Sequence, residues 1–75
     1  MMLRVRVFHQ ARPVFDGTAA EVTVPSEEGE MTVLPHHAPL FCALGAGDVA
    51  IDERRYAIRR GVAHIVNNRV MIVAS

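Results

Sequence analysis

Lysine and tryptophan are absent from this 75-residue chain, and cysteine occurs once. The single thiol, Cys42, closes no internal disulfide and completes no four-cysteine metal cluster. No apolar run approaches the roughly 20 residues that a membrane-spanning helix needs. The N-terminus has no signal-peptide core, because Arg4 and Arg6 interrupt it. An excess of either charge is also missing: eight arginines and eight carboxylates cancel, so no overall field draws in nucleic acid or an anionic membrane. Helical periodicity is absent as well. A cytoplasmic location is the simple reading.

What is present is a period of two. Leu3, Val5 and Val7 alternate with Arg4, Arg6 and Phe8, as a half-buried strand requires. Pro13 is expected to break that run, with a turn at Asp16-Gly17. Ala20, Val22 and Val24 alternate with Glu21 and Thr23 up to Pro25, and Ser26 to Glu30 reads as an acidic loop. Met31 to Leu34 reads as a short strand closed by Pro35. Leu40 to Leu44 is apolar at consecutive positions, so both its faces meet something apolar. Gly45 and Gly47 bracket a turn, Glu53-Arg54 makes another, and Asn67-Asn68 suits a two-residue hairpin. Short strands at this spacing predict an all-β fold: an antiparallel two-sheet β-sandwich of about eight to ten strands. A domain this small buries only about 60% of its unfolded surface, so a partner contribution to stability is a live expectation.

The middle of the chain is more specific. Glu28-Gly29-Glu30-Met31-Thr32-Val33-Leu34-Pro35-His36-His37-Ala38-Pro39-Leu40 resembles the signature of epsilon subunits of F-type ATP synthases, Glu-Gly-Glu followed by Pro-Gly-His-Ala-Pro-Leu. Val14-Phe15-Asp16-Gly17 resembles the apolar-Phe-x-Gly turn of that family, and Gly61 to Val70 its last hairpin. Three departures stand out: His36 and Thr32 replace common glycines, and Arg60 replaces the first of a glycine pair. The resemblance covers nearly the whole chain in family order. It implies a single sandwich domain over residues 1–75, without the C-terminal helical hairpin that family members usually carry.

The resemblance further implies a non-catalytic rotor subunit, peripheral on the cytoplasmic face of the inner membrane and without cofactor. Its partners would be the gamma subunit and the polar loops of the c-ring, and a homodimer is possible in isolation. The ring would be met by a loop carrying Glu30 and His37, with His36 beside them. Pro35 and Pro39 stiffen that segment by fixing backbone angles. The apolar strands imply a gamma-binding face drawn from Leu40, Phe41, Cys42, Leu44, Met71 and Val73.

Other chemistries are weaker. His36 and His37 are adjacent and on an extended chain point apart, so they rarely share a metal ion. Cys42 reads as a small buried thiol, and Glu27, Glu28 and Glu30 as a solvated turn without an apolar pocket to shift a pKa. His64, between Val62 and Val66, reads as a semi-buried histidine satisfied within the fold, in preference to a member of a partner face. A stand-alone β-barrel interaction module, or one binding nucleic acid, is the alternative; it wants a basic groove with clustered aromatics.

Overall fold

Leu3, Val5 and Val7 are buried while Arg4 and Arg6 between them are exposed, so the first alternation is the inward and outward faces of a strand. The computed structural model describes residues 1–75 and contains no helix. Its strands are β1 (Leu3–His9), β2 (Arg12–Ala19), β3 (Val22–Ser26), β4 (Gly29–Val33), β5 (Leu40–Leu44), β6 (Gly47–Ile51), β7 (Arg54–Ile58), β8 (Gly61–Val66) and β9 (Arg69–Ala74). Nine strands fall within the expected range.

One layer is β2-β1-β9-β8-β5, and the other holds β3, β6 and β7 with β4 on the remaining edge of β3. The layers join where Ser26 of β3 meets Leu44 of β5, their only paired residues. A sheet curled back on itself at that corner makes the predicted sandwich. Seven of the eight strand pairings are antiparallel, but β1 and β9 run parallel, from Arg4 beside Arg69 to His9 beside Ala74. That corrects the all-antiparallel expectation. A parallel pair needs a long connection, and here the rest of the domain supplies it.

The first hairpin also differs from the reading of the sequence. The chain reverses at Gln10 and Ala11, whose φ values are 52° and 65°, and β2 then runs through Pro13, Asp16 and Gly17. Neither Gln nor Ala announces a left-handed turn, whereas Asp-Gly does, so the local signal points several residues past the real reversal. Pro13 is tolerated because β2 is an edge strand. Gly17 serves space and not a turn. A Cβ there would lie 3.2 Å from the Phe15 ring, which folds over it. The β6–β7 turn falls at Asp52-Glu53, one residue earlier than expected, while Asn67 and Asn68 turn the last hairpin with φ of 51° and 61° as predicted.

Sixteen side chains are buried and all are apolar, with Val22, Val24, Val33 and Val49 of one layer meeting Val5, Val7, Ile65 and Ile72 of the other. Each large member contributes roughly 1.5–3 kcal/mol over its exposed state. Phe15 of β2 and Tyr56 of β7 close one open side of the sandwich edge-to-face at 6.4 Å. Gly61 lets β8 lie against the end of β9. A Cβ there would stand 2.4 Å from the Val73 carbonyl oxygen.

The turns gather at two ends. One end holds Ala20-Glu21, the Asp52 turn, the segment 34–39 and the Asn67-Asn68 turn. There the Asp52 carboxylate accepts from the backbone N–H groups of Ala20 and Glu21, at 3.0 and 3.1 Å. The opposite end holds the Gln10-Ala11 turn, Glu27-Glu28, Gly45-Ala46 and Arg59-Arg60. There Arg59 and Arg60 donate their backbone N–H groups to the carbonyl of Ser75.

Candidate partner surfaces

The core contains no polar or charged side chain, so any binding chemistry lies on the surface. No three His, Cys, Asp or Glu side chains gather at metal-ligand distance. Two surfaces stand out: the loop after β4 and the outer face of the five-stranded layer.

Leu34-Pro35-His36-His37 is a tight turn. The Leu34 carbonyl accepts from the His37 N–H at 3.2 Å, Pro35 takes the first central position and His36 the second with φ of 68°. A positive φ after a proline is the type II pattern, which glycine fills at least cost. The Pro-Gly motif of the family signature thus has a local cause, and His36 occupies the glycine's conformation. The His36 N–H donates to the Asn68 side-chain oxygen at 2.6 Å, tying this turn to the β8–β9 hairpin. His37 is half-buried, and its Nδ1–H donates to the Ala38 carbonyl at 2.6 Å. The His36 side chain is exposed.

Glu30 lies elsewhere. It sits in β4 opposite Pro25, beside the Glu27-Glu28 turn, whereas segment 34–39 leaves from the other end of the same strand after Val33. One loop does not carry both Glu30 and His37. The signature is contiguous in sequence, but an extended strand carries its two halves apart. Thr32, the other replaced glycine, is an ordinary strand residue whose Oγ1 lies 3.1 Å from that of Thr23 across the β3–β4 pair.

The outer face follows from register. Phe41 of β5 is opposite His64 of β8, which is opposite Met71 of β9; Ala43, Val62 and Val73 form the next row. Phe41 is 67% exposed, Val73 47% and Val62 36%. The six residues expected on one apolar face therefore divide. Phe41, Met71 and Val73 look outward. Leu40, Cys42 and Leu44 turn onto the core, with Leu44 fully buried. Alternation along β5 forbids both sets from sharing a face. Burial raises the Cys42 thiol above its ordinary pKa, in keeping with a half-hidden inward side chain.

Sequence reasoning left Val62 off this face and favoured the wrong one of two readings for His64. His64 is exposed, correcting the semi-buried expectation, and its ring centroid lies 5.5 Å from that of Phe41. Alternation with Ala63 and Ile65, once those are assigned to the core, would have revealed both.

Residues 2–75 match the family described as the ATP synthase delta/epsilon chain beta-sandwich domain. The chain belongs to this family. This epsilon-type sandwich is 33% identical over 79 residues to the chloroplastic ATP synthase epsilon chain of Tetradesmus obliquus, and that match takes in 100% of this chain and 58% of the relative. It is 36% identical over 85 residues to the chloroplastic epsilon chain of Chlamydomonas reinhardtii, across 60% of that protein. With the epsilon chain of Synechococcus elongatus the identity is 37% over 79 residues, across 58% of that protein. The chain thus spans about three fifths of these relatives. A chain in the cryo-EM structure of Euglena gracilis mitochondrial ATP synthase, OSCP/F1/c-ring, superposes with a TM-score of 0.84 at 25% identity, over 97% of this chain and 50% of that one. A chain of the Tetrahymena thermophila mitochondrial ATP synthase central stalk and c-ring gives 0.75 at 13% identity over 99% of this chain and 63% of that one, a likeness of fold. The epsilon-type sandwich thereby has its resemblance and its all-β class established.

Proposed function

We propose that this sandwich works in the central stalk of an F-type ATP synthase, as a non-catalytic rotor part that couples ion movement through the c-ring to ATP synthesis or hydrolysis. It is a peripheral component on the cytoplasmic face of the inner membrane, and it grips the gamma subunit with the outer face of β5, β8 and β9. The observation that carries this reading is the cluster of Phe41, Val62 and Val73, exposed apolar side chains on adjoining rows of one sheet face. Family membership and the likeness to chains of ATP synthase structures support the same assignment.

Ring contact falls at one end of the sandwich. The resemblance assigned it to Glu30, His36 and His37, which stand at opposite ends of β4. We assign it to Glu30, where Glu27 and Glu28 are also exposed and free to hydrogen-bond with polar loops. The His36-His37 turn is bound to the hairpin of β8 and β9 through Asn68, so it extends the gamma side. Stiff coupling suits a body whose turns are tied to each other by backbone and Asn or Asp side chains.

Co-purification of the domain with the gamma subunit of the same source is the test. A stable complex at micromolar concentration is expected, weakened by Phe41→Ala or Val73→Ser and unaffected by Arg59→Gln at the far end. No complex at that concentration overturns the reading. Crosslinking from Cys introduced at Glu30 or at His37 then separates the two ends: ring products from Glu30 alone are expected, and ring products from His37 alone reverse the assignment.

A further inference from the structure

Beside the apolar rows of the outer face lies a basic groove of about 660 Å³, lined among others by Arg4, Arg6, Arg69, His64, Met71 and Asp16. Register explains the grouping. Arg4 of β1 is directly beside Arg69 of β9, and Arg6 is beside Met71, which is itself opposite His64. All point away from the core. Three guanidinium groups therefore meet one carboxylate, Asp16, leaving two positive charges uncompensated.

Asp16 is already engaged. Arg4 is ion-paired to it and Arg6 lies 3.9 Å from it, both pairs about half exposed. Arg69 makes no ion pair. Stability does not account for this arrangement. Exposed ion pairs contribute about 0–1 kcal/mol at most, and like charges side by side on neighbouring strands work against the sheet. Arg6 also spreads over the Phe8 ring at 5.2 Å, so the basic groove runs into the apolar surface without a break.

We propose that this face takes an acidic amphipathic segment of its partner, with apolar side chains on Phe41, Val62 and Val73 and carboxylates in the groove of Arg4 and Arg69. The inference rests on the rotor reading and specifies the chemistry of the gamma surface that docks here. Charge complementarity identifies the occupant: a groove of three arginines holding the single carboxylate of Asp16 fits further carboxylates, and the adjoining rows fit the apolar side of the same segment. The arginine forks suit paired carboxylates better than lysine would.

Binding of gamma to the intact domain, measured at low and high salt, tests it. Arg4→Gln and Arg69→Gln are each expected to weaken the complex about threefold to fivefold, the size of an exposed ion pair, and to flatten its salt dependence. Arg69→Glu should weaken it further, and Arg59→Gln should not. Phe41→Ala should weaken binding while leaving the salt dependence in place. In the free domain Arg69→Gln is expected to leave Tm unchanged or raised, which a structural role for Arg69 would not allow; a lowered Tm counts against the proposal. If gamma binds but salt and the arginine variants leave its Kd unmoved, the acidic-segment proposal falls and the rotor reading stands. If gamma does not bind at all, both fall together.

Discussion

The backbone N–H of His36 donates to the side-chain oxygen of Asn68 at 2.6 Å, joining residues 32 positions apart in the chain. Asn68 does two things at once. Its positive φ helps to turn the β8–β9 hairpin, and its side chain holds the type II turn after β4. Replacing it with glycine keeps the first role and removes the second. Asn68→Gly is expected to lower stability by about 1 kcal/mol, the usual net value of such a bond. Hydrogen exchange checks it: the His36 amide should lose protection while amides of β8 and β9 keep theirs. Unchanged exchange at His36 would rule out the tie.

His36 itself holds a left-handed backbone at φ of 68° with a full side chain. That conformation costs an L-residue roughly 1–2 kcal/mol, part of which glycine gives back through its freer unfolded chain. His36→Gly is therefore expected to stabilise the domain by about 0.5–1 kcal/mol, a rise in Tm of roughly 2–8 °C. Thermal unfolding by circular dichroism reads it directly. A fall in Tm would mean that the imidazole contributes packing worth more than the strain.

Gln10 and Ala11 present the same problem twice over, since both hold positive φ in a two-residue hairpin. Asn-Gly is the pair that such a turn favours. The double variant Gln10→Asn, Ala11→Gly should raise the denaturation midpoint, gaining about 1–2 kcal/mol. The slope of the denaturant transition should stay constant, because the surface exposed on unfolding does not change. A lower midpoint would contradict the turn geometry.

Cys42 of β5 packs against the core, and desolvation raises its pKa. Less thiolate at a given pH means slower alkylation. Reaction with iodoacetamide near pH 8 should be slower than for an unstructured cysteine peptide, and should reach the peptide rate once the domain is unfolded. The linkage has one sign. A folded-state pKa above the unfolded value gives stability that is complete below the unfolded pKa and is lost as pH rises through the folded one. Cys42→Ser should remove that loss from an alkaline denaturation series. Alkylation of the folded domain at the peptide rate would show that the thiol is open.

Alternation determined much of this protein before any coordinates. Leu3, Val5, Val7, Val22 and Val24 declare their inward face because a polar or charged neighbour occupies the other, and turn chemistry at Asn67-Asn68 closes the last hairpin without tertiary help. Family membership was legible from the ordered motifs around Pro35 and His37. Where the cue was absent or double, the reading failed. Leu40 to Leu44 is apolar on both sides, so local pattern could not say that Phe41 looks out while Leu44 is buried. Only pairing with β8, which carries its own buried Ala63 and Ile65, decides that. The parallel meeting of β1 with β9 and the separation of Glu30 from His37 are likewise tertiary facts. A strand's sequence specifies which side chains share a face, but the neighbour it pairs with determines which face meets the core and which surface remains for a partner.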